Sequence, residues 1–96
     1  MKVEWSTDAT DDLNNIAEYV ALKNPRAAVA LDAQLSEAAA NLVHFPLIGR
    51  VGRLEGTREI LAHRHYRIVY SILSDTIWIE AIVHSSRQWP PVEGES

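Results

Sequence analysis

The sequence predicts an α+β fold: an N-terminal helical hairpin packed on one face of a small antiparallel β-sheet. Apolar residues recur at helical spacing through the first 44 positions, first Ala9, Leu13, Ile16, Ala17 and Val20, then Ala28, Leu31, Leu35, Ala38 or Ala39, and Leu42. From Tyr66 the period drops to two, with Tyr66, Ile68, Tyr70 and Ile72, then Ile77, Ile79, Ala81 and Val83. Between the two regimes, residues 46–57 hold three of the four glycines and no apolar period, which reads as loop.

The elements follow in order. Lys2 to Trp5 is a short strand candidate. Ser6 is placed to cap a helix over residues 7–23, with Asp8, Asp11 and Asp12 near its positive end. Asn24-Pro25 breaks and restarts the helix, Asn24 as cap and Pro25 in the first turn. So short a break makes the two helices an antiparallel hairpin, and their alanines allow a close approach. Phe45-Pro46 ends the helical region, and residues 59–62 form a strand ahead of the hairpin.

That hairpin turns at Ser74-Asp75. If these two are the loop residues, Leu73 faces Thr76, and Ile72–Ile77, Tyr70–Ile79, Ile68–Ala81 and Tyr66–Val83 pair on one apolar face. The open face then carries Arg67 opposite Ile82, Val69 opposite Glu80 and His65 opposite His84. In this register Arg67 and His84 are diagonal neighbours, roughly 5–8 Å apart at Cβ, and Glu80 lies close enough to pair with Arg67. Val69, Trp78 and Ile82 are expected at the surface.

At 96 residues the chain fits one domain, 1–96, whose last residues 91–96 fray because Pro90-Pro91 cannot extend a helix. The absence of cysteine excludes a disulfide framework and a thiolate zinc site. No apolar run is long enough to span a membrane, and Met1-Lys2-Val3-Glu4-Trp5 lacks the features of a signal peptide, so a cytoplasmic protein without a membrane partner is expected. No glycine-rich phosphate loop joins a strand to a helix, and no cofactor is expected. His63 and His65 have strand spacing, but residues 63–65 read as a turn, so no metal site is assigned to them with His84.

The net charge of −4 is uneven. Residues 44–67 hold five arginines against two glutamates, a local +3, and three of the four histidines. Arginine binds phosphate and carboxylate in bidentate fashion, so this window suits an anionic partner. The acidic total disfavours tight nonspecific binding to nucleic acid. The expected partner is an acidic, partly disordered chain lying across the sheet and the helical hairpin.

Three segments carry a resemblance: Pro46 to Glu59 with its Gly-Arg-Val-Gly-Arg-Leu-Glu-Gly-Thr-Arg-Glu core, Tyr66-Arg67-Ile68-Val69-Tyr70, and Ile82-Val83-His84 followed by Arg87-Gln88-Trp89-Pro90. Together, and in this order of elements, the chain resembles the RelE/ParE superfamily of toxins. The resemblance implies a growth-arresting toxin made beside a cognate antitoxin that wraps and silences it, as in plasmid stabilisation systems. The RelE branch is a ribosome-dependent endoribonuclease that inhibits translation by cutting messenger RNA; the ParE branch poisons DNA gyrase. One fold serves both, so the fold does not choose.

Metal-free RNA cleavage requires proton transfers, which histidine suits, and charge stabilisation at phosphorus, which arginine suits. On the resemblance, Arg67, His84 and Arg87 are the candidate catalytic residues. Arg50, Arg53, Arg58, His63, His65 and Trp89 are the candidate RNA- or target-binding residues, Trp89 by stacking on a base. The only lysines are Lys2 and Lys23, whereas RelE-like enzymes often place lysines ahead of the Tyr-Arg strand. The arginine–histidine set favours the RelE type acting on the ribosome with its mRNA. Gyrase inhibition and a degenerate copy that only binds antitoxin are the alternatives.

Overall fold

The computed structural model describes residues 1–91; the expected frayed tail lies, from residue 92 on, outside the described residues. Strand β1 (Lys2–Trp5) leads into helix α1 (Thr7–Ala21) through Ser6, whose Oγ accepts the Ala9 N–H at 3.0 Å. The helix stops two residues short of the expected end, and the turn closes when the N–H groups of Lys23 and Asn24 both donate to the Val20 carbonyl. Asn24 caps helix α2 (Pro25–Ala40) by accepting the Ala27 N–H at 3.1 Å, and a short 3-10 turn follows at Asn41–Val43. Leu31, Leu35, Ala39 and Leu42 form its buried stripe, as the spacing predicts.

Four further strands are β2 (Arg50–Val51), β3 (Thr57–His63), β4 (Tyr66–Leu73) and β5 (Thr76–His84). The sheet order is β1-β5-β4-β3-β2, with β1 parallel to β5 and every other pair antiparallel. The core lies between the helices and one sheet face, where Ile68, Tyr70, Ile77, Ile79 and Ile82 meet Ala9, Leu31, Leu35, Ala39 and Leu42. Among the described residues no helix is long and apolar enough to cross a membrane.

Two features depart from the sequence expectation. The segment read as loop contains the edge strand β2, held because the Tyr70 hydroxyl accepts the Gly49 N–H (2.9 Å) and donates to the Pro46 carbonyl (2.7 Å). A side chain at Gly49 would put Cβ 2.7 Å from that hydroxyl, so glycine is required there.

The second departure is the hairpin register. It runs as predicted from Leu73↔Thr76 to Tyr70↔Ile79, then slips by one at a bulge, so that Val69 faces Ala81, Ile68 faces Ile82, Arg67 faces Val83 and Tyr66 faces His84. The extra residue is Glu80, and it reverses the facing of everything after it. Ile82 therefore enters the core and is 4% exposed, against the expectation of a surface position; Val69 keeps the face of Arg67 but is fully buried there, also against expectation, and Trp78 is exposed, as expected. The cause is the shortness of β1. It pairs with β5 only as far as Trp5↔Ile79, and beyond that the start of α1 takes its place. Ser6 Oγ donates to the Glu80 carbonyl at 3.1 Å, and Asp12 Oδ2 accepts the Ile82 N–H at 3.0 Å.

Candidate functional site

Strands β2, β3 and β4 bring three charged groups together on the sheet face away from the helices. Glu59 and Arg67 alternate outward from β3 and β4, and Arg50 lies across the β2 ladder from Glu59. The Glu59 side chain is only 7% exposed. Its Oε1 is 3.1 Å from Arg67 Nε and 3.6 Å from Arg50 Nη2. The approach to Arg67 is off the N–H direction, so it is an ion contact rather than an aligned hydrogen bond. Arg67 spends its other nitrogens on the chain beyond β5: Nη1 donates to the Ser85 carbonyl at 3.0 Å, and Nη2 to the Arg87 carbonyl.

Arg67 is therefore a clamp. It ties the segment after β5 to the sheet, and Glu59 supplies the compensating charge. The expected partner, Glu80, does not fill this role, because the bulge and the β3 register put Glu59 beside Arg67 instead. Arg53 adds a second tie, donating from Nη1 to Gln88 Oε1 at 2.8 Å. Arg50, Arg53, Glu59, Arg67, Gln88 and Trp89 border a cleft of about 290 Å³. Within it Arg50, 73% exposed, is the cation best placed to meet an incoming anion.

The remaining candidates divide. Arg58 turns back to the loop, donating from Nη1 to the Gly49 carbonyl at 2.7 Å and more weakly to the Leu47 carbonyl at 3.4 Å. Arg87 is an exposed position whose carbonyl, rather than its guanidinium, meets Arg67. His84 does not share the open face with Arg67. It pairs with Tyr66 on the helix side, edge-on to that ring at 5.7 Å and stacked on His65 at 5.8 Å. His63 completes the cluster, 5.6 Å from His65 and 5.8 Å from Tyr66.

Within the cluster His84 Nδ1 meets the Ser86 Oγ at 2.7 Å and the Ser86 N–H at 3.2 Å. His63 Nδ1 accepts the His65 N–H at 3.1 Å. Burial, then the neighbouring His65 and Arg64, hold His63 below the usual histidine range. No group of three or more histidine and acidic side chains among the described residues is arranged to hold a metal ion. The members that sequence reasoning missed are Glu59, Ser85 and Gln88. The first shares its outward facing with Arg67, but its partnership depends on a strand register that no local pattern fixes.

The whole chain compares closely with known toxins. A family model described as the ParE toxin of type II toxin–antitoxin system, parDE, matches residues 3–89. The protein named "Putative toxin Y4kP" of Sinorhizobium fredii is 35% identical over 92 residues, 95% of each chain. Toxin RelE2 of Caulobacter vibrioides is 30% identical over 86 residues, 90% of this chain and 97% of that one. Among solved structures, a chain of the chromosomal ParDE TA system from P. aeruginosa shares the fold with a TM-score of 0.79 at 22% identity, covering 88% of this chain and 95% of that one. With two helices on a five-stranded, mostly antiparallel sheet and these matches over nine-tenths of its length or more, the chain belongs to the ParE toxin family of type II toxin–antitoxin systems, within the RelE/ParE superfamily.

Proposed function

We propose that this toxin arrests growth by binding and poisoning DNA gyrase, the action that the resemblance implies for the ParE branch, rather than by cutting messenger RNA. The observation that carries the reading is the fate of Arg67. Its guanidinium is occupied by the Ser85 and Arg87 carbonyls and by Glu59, and it is largely shielded from solvent. A charge stabiliser for a phosphorane must present free donors to the reacting oxygens. His84, the proposed proton carrier, stands on the other side of the sheet. The match to the ParE family model over residues 3–89 supports the same branch.

Ribosome-dependent cleavage is the second reading. It is favoured by the cleft where the exposed guanidinium of Arg50 stands with Trp89, a pair suited to phosphate and a stacked base. The two readings separate in one pair of assays. The purified toxin should stop gyrase from supercoiling plasmid DNA and accumulate cleaved-DNA complexes, while message on translating ribosomes stays intact. Cut message that appears only with ribosomes, alongside unaffected gyrase, would replace the gyrase reading with the RelE-type one.

A further inference from the structure

We propose that His63 is a pH-sensitive latch on the turn between β3 and β4: when its ring gains a proton, the turn lets go of Ser85 and the segment after β5 loosens from the sheet. The proposal concerns the conformation of the toxin and does not rest on the gyrase reading.

The latch is a chain of hydrogen bonds. His63 and Tyr66 close the β3–β4 ladder, with Arg64 and His65 at the turn between them. The His65 N–H donates to His63 Nδ1 at 3.1 Å, so the ring at the end of β3 supplies the acceptor that shapes the turn. The turn then grips Ser85. The His65 carbonyl accepts the Ser85 N–H at 2.7 Å, and the Arg64 carbonyl accepts the Ser85 hydroxyl at 3.3 Å. Ser85 passes the tie on, its carbonyl accepting from Arg67 Nη1 at 3.0 Å. The Arg87 carbonyl accepts from the same guanidinium, and just beyond it Gln88 and Trp89 border the cleft that holds Arg50.

A neutral imidazole accepts a hydrogen bond at one ring nitrogen, whereas a protonated one donates at both. A proton on His63 Nδ1 therefore sets two N–H groups against each other, and the His65 amide must turn away. His84 differs, because its Nδ1 also meets the Ser86 hydroxyl at 2.7 Å, a group that can donate or accept and so remains a partner in either state. The surroundings of His63 oppose its charged form. The His65 ring lies 5.6 Å away and the Tyr66 ring 5.8 Å away, with His84 stacked on the far side of His65. From α2 the neighbour is the neutral Gln34, whose Nε2 donates to the Ala62 carbonyl at 3.1 Å. Asp12 of α1 is spent on the Ile82 N–H. Besides burial, the charges that act on His63 are those of His65 and Arg64, and both hold it below its ordinary value of 6.5. With the folded-state value depressed, the latch is complete above about pH 6.5 and is lost as pH falls through the lower value. The change is local, since the buried pairs of β4 and β5 do not depend on the turn.

The test is nuclear magnetic resonance of the purified toxin from pH 8 down to pH 4.5, following the His63 ring and the exchange of backbone amides, corrected for the intrinsic pH dependence of exchange. Protection at His65 and Ser85 should fall about fivefold or more, as the loss of a hydrogen bond demands, along the His63 titration curve and below pH 6.5, while Ile68 and Ile79 stay protected. His63→Asn keeps a side-chain acceptor for the N–H two residues on and does not titrate in this range, so its His65 and Ser85 protection should be flat with pH. If protection at these two amides in the wild type does not change as His63 titrates, the proposal falls, and that measurement decides the matter even if His63→Asn fails to fold. If His63→Asn retains the full pH dependence, another histidine drives it and the assignment to His63 falls. If Ile68 and Ile79 lose protection at the same pH as Ser85, the domain unfolds as a whole and there is no latch.

Discussion

Near the Ser74-Asp75 turn, β4 and β5 pair in simple alternation from Leu73↔Thr76 to Tyr70↔Ile79, whereas past Glu80 the same strands pair one residue out of step, from Val69↔Ala81 to Tyr66↔His84. In the turn half, both neighbours of β5 are strands, and local pairing sets the register. In the far half, β1 has ended, and the edge of β5 is satisfied by side chains of α1 and its cap, Ser6 on the Glu80 carbonyl and Asp12 on the Ile82 N–H. A strand that loses a neighbour must find other partners for its backbone groups or leave them unpaired at a cost. The bulge is where this chain makes that exchange, and the exchange decides which residues reach the open face.

The contrast between the halves can be broken by substitution. The largest effect belongs to the turn half. Ile79 is fully buried on the helix side, so Ile79→Ala should destabilise the domain by about 3–4 kcal/mol in a denaturant melt. In the far half, Arg67→Ala leaves Glu59 buried without its main partner and should cost about 2–4 kcal/mol. It should also release the segment after β5, seen as faster proteolysis between residues 85 and 91. Toxicity lost through Arg67→Ala then reports lost structure. Equal stability of wild type and variant would restore Arg67 as a free, functional cation.

Asp12 tests the bulge directly. Asp12→Ala strands the Ile82 N–H and should cost about 1–2 kcal/mol, whereas Asp12→Asn keeps an acceptor and should cost much less. The pH dependence sharpens this comparison. Burial, followed by repulsion from Asp8 and Asp11, raises the Asp12 carboxyl above its ordinary value of 3.8, outweighing the Ile82 N–H that lowers it. A folded-state value above the unfolded one means that the stabilising share is complete below about pH 3.8 and is lost as pH rises through the raised value. Melts from pH 3 to 7 should show this downward slope in the wild type and a flatter profile in Asp12→Asn. The smallest effect is expected at Arg50, whose exposed contact with Glu59 should contribute less than about 0.5 kcal/mol, so Arg50→Ala should leave the melting curve in place.

Sequence alone determined the two helices, their caps at Ser6 and Asn24, the buried stripe of α2, the turn at Ser74-Asp75 and the first four pairs of the hairpin. These rest on spacing and capping within a few residues of chain, so the pattern that encodes them is local. It also brought Arg67 to the open face. Tertiary structure alone decided the rest. The short β2 depends on the Tyr70 hydroxyl, some twenty residues away in sequence; the bulge depends on α1 reaching the edge of β5. That bulge sends Ile82 into the core and His84 to the side of Tyr66, and the β3 register gives Arg67 to Glu59 rather than Glu80. Side-chain direction in a strand has a period of two, so one extra residue, placed by a contact far along the chain, reversed the facing of four others that no local rule could assign.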